Sequence, residues 1–176
     1  MFIKNIPNLL TFVNLSFGVL SIVEVINQNY FASAIYIIIA AFIDRYDGRI
    51  ARRLDVCSEF GKELDSLSDL VSFGIAPALL VYFKFNFDDL GMLRLVGIVA
   101  LLLYVVSGSY RLARFNIKEF EGIFRGIPIT VAGFILSIYS VIAPSTINLT
   151  LISVISLFAF SYLMVSSIKF KKYSKE

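Results

Sequence analysis

The sequence predicts an all-α integral membrane protein, six transmembrane helices in a single domain spanning residues 1–176. Three observations carry that expectation. Apolar residues make up 58% of the 176 residues and charged residues 16%, against roughly 45–50% and about 25% in soluble domains. Mean hydropathy is +0.82, more apolar surface than a soluble core of this length can hide. The charged residues are gathered into clusters that separate long uncharged runs.

The runs give the elements in order. Asn5 to Val23 is the first span. It is longer than a signal-peptide core and no A-x-A pattern follows, so it is expected to remain as a mature helix, with Met1 to Pro7 an interfacial approach to it. Tyr30 to Ile43 is the second, Leu70 to Phe83 the third and Leu95 to Tyr110 the fourth. Gly126 to Ile168 carries no charge and would extend about 65 Å as one helix, roughly twice a hydrocarbon core of about 30 Å. It must fold back once, and Pro144 to Asn148 holds the turn formers.

Six spans put both termini on one side. That side holds all but Lys84 and Arg94 of the 16 Lys and Arg residues, so it is expected to be cytoplasmic, and the tail lysines Lys169, Lys171, Lys172 and Lys175 read as topological. The expected location is the plasma membrane.

Histidine is absent and cysteine occurs once. Histidine bases, Ser-His-Asp triads, zinc sites of the HExxH or Cys-rich kind and internal disulfides are excluded. Cys57 reads as a free thiol in a cytoplasmic loop. Acid-base or metal chemistry must use carboxylates, Tyr or Lys.

The second and third runs cover only about 21 Å each, so both helices must continue through charge to cross. The second then includes Asp44, Asp47 and Gly48; the third begins near Gly61 and includes Asp65 and Asp69. Asp44, Asp47, Gly48 and Ala51 share one helical face, as do Gly61, Asp65, Ser68, Asp69 and Ser72. An acid costs roughly 2.5–3.5 kcal/mol at the centre of a membrane helix and less near its end. Salt bridges such as Asp44 with Arg45 would account for one acid, not for four on two matched stripes. Divalent cations account for all four: an all-oxygen set favours Mg²⁺, Mn²⁺ or Ca²⁺, and paired metals serve phosphoryl chemistry. The small residues Gly48, Ala51 and Gly61 would leave room beside such ions.

Asp44-x2-Asp47-Gly48-x2-Ala51-Arg52-x8-Gly61-x3-Asp65-x3-Asp69 resembles the signature of the CDP-alcohol phosphotransferases at every fixed position. Three softer segments resemble the membrane-embedded phosphatidylserine synthases of that family: Leu70 to Ala78, Arg111 to Asn116 and Phe124 to Pro128. Ile6 to Thr11 with Asn14 is similar to the family's approach to the first helix. The resemblance implies transfer of a phosphatidyl or archaetidyl group from CDP-diacylglycerol or CDP-archaeol to the L-serine hydroxyl, with release of CMP. It implies one or two Mg²⁺ or Mn²⁺ ions, with Ca²⁺ able to bind, on Asp44, Asp47, Asp65 and Asp69, and Asp69 as general base. Gly48, Ala51, Arg52, Gly61 and Ser68 are carried over as the CDP-binding set. A homodimer in membrane lipid, and no nucleic acid partner, are expected.

A serine carboxylate needs a cation. Ser107, Arg111, Arg114 and Lys118 form one stripe on the fourth helix, and Arg125 follows in the next loop. Arg111, Arg114 and Arg125 are the candidates, because a guanidinium fork matches carboxylate or phosphate; anchoring to anionic lipid heads is the other reading of these cations. Thr11 and Asn14 are polar candidates for phosphate or lipid. Inositol phosphate and glycerol phosphate are the alternative acceptors within the family. An aspartate-rich prenyltransferase and a divalent-cation transporter are the readings of other classes.

Overall fold

The computed structural model describes residues 6–54, 58–117, 123–166 and 168–171. Among them six helical rods follow one another. The first is α1 (Ile6–Ile26) and the second α2 (Tyr30–Leu54). The third is continuous from α3 (Glu59–Asp69) through a π-helical stretch, Leu70–Ile75, into α4 (Ala76–Lys84). A 3₁₀ segment, Phe87–Leu93, leads into α5 (Arg94–Ile117), and α6 (Ile129–Ile142) and α7 (Ile147–Val165) complete the set.

The boundaries follow local chemistry. Ser58 caps α3 by accepting a hydrogen bond at Oγ from the Gly61 N–H over 3.0 Å. The α3 start at Glu59 and the run of α2 to Leu54 agree with the requirement that both helices continue through their acids. Chain reversal after α6 uses residues 143–146, and α7 resumes at Ile147, slightly before the end of the expected turn.

The chain is a multi-pass membrane protein. Four rods among the described residues have the length and apolarity to cross: Asn8–Ile26, Glu59–Lys84, Arg94–Ile117 and Ile147–Val165. The other two of the expected six fall outside that measure of length and apolarity for different reasons. Helix α2 has 25 residues, about 37 Å, but its C-terminal half holds Asp44, Arg45, Asp47, Arg49, Arg52 and Arg53. Helix α6 is apolar but has 14 residues, about 21 Å. One feature was absent from the expectation: β1 (Ile123–Arg125) pairs antiparallel with β2 (Lys169–Lys171), Phe124 opposite Phe170. The Gly126 N–H extends the pairing to the Ile168 carbonyl over 3.0 Å.

The third rod lies at the centre. Of its most apolar window 61% is buried, against 28–33% for the other three crossing rods. Outward faces carry exposed Leu20, Leu102, Val106, Ile155 and Tyr162, the inside-out pattern of a chain whose solvent is lipid. Lipid tails supply little hydrophobic drive between helices, so close packing and hydroxyl bonds hold the rods together. The Ser21 and Ser33 hydroxyls join α1 to α2 at 2.8 Å. Ser68 Oγ donates to the Thr11 carbonyl (3.2 Å) and Ser72 Oγ to the Asn14 carbonyl (3.1 Å), joining α1 to the third rod. Tyr104 on α5 donates to the Phe73 carbonyl over 2.9 Å, and Gly133 on α6 lets Phe73 approach: a Cβ there would lie 2.8 Å from the Phe73 oxygen.

Candidate metal centre

Helix α2 delivers Asp44, and α3 delivers Asp65 and Asp69 one turn apart on one face. One carboxylate oxygen from each of the three lies within 4.8 Å of the others. Asp44 and Asp65 are half-buried and Asp69 is buried. Two like charges at that range repel by about 3.5 kcal/mol at an effective dielectric near 20. Three acids meet here, an arrangement that a bound cation would relieve.

The donor set fits a divalent ion. It is all oxygen, which suits Mg²⁺, Mn²⁺ or Ca²⁺. Oxygens bonded on opposite sides of such an ion stand about 4.0–4.2 Å apart for Mg²⁺ and about 4.6–5.2 Å for Ca²⁺, the scale of the cluster. Asp69 Oδ1 is also buried without a hydrogen-bond partner, as an oxygen reserved for a ligand would be. Asp47 lies in α2 one turn beyond Asp44, and its side chain is outside the described residues.

Two polar side chains from other rods border Asp69. Arg111 on α5 is within electrostatic reach of its carboxylate, and Arg111 Nε is buried with no partner. Asn14 on α1 faces the same carboxyl, but without a well-formed hydrogen bond: Oδ1 and Nδ2 are both buried and unpartnered. Asn14 is 1% exposed, so bulk solvent does not reach these atoms. Buried polar groups left open beside a buried acid are what a polar ligand would complete.

The remaining candidates divide. Thr11 is buried, and its carbonyl receives the Ser68 hydroxyl. Ser68 is fully buried, its hydroxyl engaged in that bond. Gly61 is half-buried on α3, and a Cβ there would lie 3.0 Å from Asn8 Oδ1 and 3.1 Å from Ser58 Oγ, so its small size serves helix approach as well as any ligand. Gly48 is exposed on α2, and Arg114 and Ser107 are half-buried on α5. Ala51 and Arg52 lie in α2 and Arg125 in β1, with side chains outside the described residues; Cys57 and Lys118 lie outside them altogether.

A cleft of about 360 Å³ opens beside Asp44, between α2 and α6. Ala41, Phe42, Val131 and Phe134 make its apolar wall; Asp44, Arg45 and Thr130 make its polar end. Phe42 and Phe134 meet edge to face at 6.5 Å. The cleft is amphiphilic along its length, and Asp44 belongs both to its charged end and to the acid cluster.

A clamp that sequence reasoning did not assign holds α3 to α5. Asn116 Nδ2 donates to Glu63 Oε1 (3.1 Å) and Ser66 Oγ (2.9 Å), and Lys62 Nζ donates to the Asn116 carbonyl (2.8 Å). The only sequence signal was the position of Asn116 at the end of the Arg111 to Asn116 segment; nothing in α3 alone pointed to it.

Comparison with known proteins agrees with this chemistry. A model of the family described as CDP-alcohol phosphatidyltransferase matches residues 4–169. A CDP-diacylglycerol–serine O-phosphatidyltransferase of Bacillus subtilis is 39% identical over 171 residues, covering 97% of this chain and 92% of its own. One of the same name from Methanocaldococcus jannaschii is 36% identical, covering 97% and 76%. An archaetidylserine synthase of Methanothermobacter thermautotrophicus is 38% identical, covering 95% and 70%.

Proposed function

The chain belongs to the CDP-alcohol phosphatidyltransferase family, and from that premise we propose that it transfers the phosphatidyl or archaetidyl group of a CDP-lipid to L-serine and releases CMP. The observation that carries the reading is the convergence of the Asp44, Asp65 and Asp69 carboxylates, with Asp44 also lining the polar end of an apolar cleft. That arrangement suits a donor with hydrocarbon chains at one end and a diphosphate at the other. The names of the relatives support serine as the acceptor and either CDP-diacylglycerol or CDP-archaeol as the donor.

Asp44, Asp47, Asp65 and Asp69 would hold the divalent cation, Mg²⁺ or Mn²⁺, which when bound neutralises the diphosphate and polarises the attacked phosphorus. The chain's own groups do the rest. Asp69 accepts the proton of the serine hydroxyl as that oxygen bonds to the lipid-side phosphorus, and the bond from that phosphorus to the CMP oxygen breaks. With no histidine in the chain, a buried carboxylate is the available base. Arg111 meets the serine carboxylate with its planar fork, and the Asn14 amide supplies a donor and an acceptor beside the reacting hydroxyl. Gly48, Ala51, Arg52 and Gly61 form the nucleotide wall, with Arg114 and Arg125 as further phosphate partners. Ser68 and Thr11 support the site by holding α3 against α1.

The proposed setting is the plasma membrane, as a homodimer with termini and site cytoplasmic. The one-sided distribution of Lys and Arg supports that orientation. The test uses purified protein in lipid with CDP-diacylglycerol and Mn²⁺ or Mg²⁺, measuring CMP release with serine, inositol phosphate, glycerol phosphate or no acceptor. Release is expected with serine and metal together. Release only with a phosphorylated acceptor would overturn serine and keep the family, and no release from folded protein would reject the transferase reading.

A further inference from the structure

The last α-helical residue of α3 is Asp69, and the rod widens into π geometry directly after it, over Leu70–Ile75. In an unbroken α-helix Asp69 would share a face with Phe73, Ala76 and Leu80, at i, i+4, i+7 and i+11. Those three are fully buried, and Phe73 meets Tyr104 of α5 and Gly133 of α6. Asp69 instead meets Asp44 of α2. A π stretch holds about one residue more than the α turns it replaces, which rotates the helix on one side of it by roughly 100° relative to the helix on the other.

The π register has an identifiable support. In an α-helix the Phe73 carbonyl would accept from the N–H of residue 77, which is Pro and has none. The Tyr104 hydroxyl fills that role from another rod, over 2.9 Å, with both side chains fully buried. We propose that Tyr104 is a positioning residue for Asp69: by satisfying the carbonyl that Pro77 leaves open, it holds the π register that turns Asp69 toward Asp44 and Asp65. Tyr104 touches no carboxylate of the centre and takes no part in the transfer itself. The inference rests on the metal reading of the acid cluster.

Two substitutions test it with Mn²⁺ alone as the probe, by titration of the membrane-reconstituted protein without nucleotide. Tyr104→Phe removes the hydroxyl. Pro77→Ala restores the N–H and lets the rod relax to an unbroken α-helix, its folded state being checked by a cooperative thermal transition. Both variants should weaken Mn²⁺ binding about tenfold, the usual scale for a group that orients a ligand from outside the coordination sphere. A merely structural Tyr104 would lower the melting temperature and leave Mn²⁺ affinity unchanged, which overturns the proposal. So does a folded Pro77→Ala protein with wild-type affinity, and this variant decides the matter if Tyr104→Phe does not fold. Absence of Mn²⁺ binding by the wild-type protein would remove the metal reading together with the inference, whereas wild-type binding with unaltered variants removes the inference alone.

Discussion

The Ser72 hydroxyl donates to the Asn14 carbonyl over 3.1 Å, so the residue whose side chain faces Asp69 is fastened by its backbone to the helix that carries Asp69. One turn further along α1, Gly18 makes the fastening possible. A Cβ at that position would collide with Ser72 Oγ and lie 2.9 Å from Ser72 Cα. Gly18→Val should therefore separate α1 from the third rod, with a loss on the overpacking scale of about 1–3 kcal/mol, read as a lower melting temperature. Serine turnover should fall with it, because Asn14 moves too.

Asp69→Asn keeps the shape of the side chain and removes both its charge and its basicity. Turnover should fall by about 10²–10⁴, the range for loss of a general base, while CDP-lipid binding measured by equilibrium titration is largely retained. Unchanged turnover would remove Asp69 from that role.

Chelation tests the acid cluster as a whole. Treatment with EDTA should abolish CMP release, and Mn²⁺ or Mg²⁺ should restore it. Thermal unfolding without metal should occur at lower temperature, because the ion no longer offsets the repulsion among Asp44, Asp65 and Asp69. A melting temperature indifferent to metal would count against a shared ion.

Arg111→Lys retains a positive charge and loses the planar fork. If Arg111 meets the serine carboxylate, the KM for serine should rise at least about tenfold, the cost of one charge-assisted bond of about 1.5 kcal/mol. Membrane insertion and the KM for CDP-lipid should be unaltered. An equal rise in both constants would assign Arg111 to phosphate instead.

The amphiphilic cleft makes a steric prediction. Val131→Trp fills its apolar wall next to Phe42 and Phe134. The KM for a long-chain CDP-lipid should rise several-fold while a short-chain analogue is used almost normally, as steady-state kinetics with the two donors would show. Equal effects on both donors would place the hydrocarbon elsewhere.

The features legible in the sequence were those with a local cause. Charge-free runs marked the rods, and the shortness of two runs required their helices to continue through acid. The i, i+4 spacing of Asp65 and Asp69 placed both on one face. What could not be read depends on distant chain segments. Pro77 shows in the sequence only that one backbone N–H is missing, and the group that answers it, the Tyr104 hydroxyl, arrives from α5. The strands β1 and β2 have three residues each, too short to show a period, and pair across the whole of α6 and α7. The Asn116 clamp joins polar residues that look solvent-facing on their own helices. The unequal lengths of α6 and α7 were likewise not legible, because the apolar run that holds both has no charge to mark where its turn divides it.

The central place of the third rod sets an order of assembly during synthesis. The three helices that bear Asn14, Asp44, Asp65 and Asp69 emerge first, but the walls that enclose Phe73 and Gly74 come from α5 and α6. A nascent chain stopped after Ile117 would present that flank of the rod to lipid, or to whatever insertion factor shields it. Site-specific crosslinking from residue 74 should capture such a neighbour in the stalled chain and lose it once α6 is made; identical crosslinks at both stages would mean that the rod is packed before its later neighbours exist.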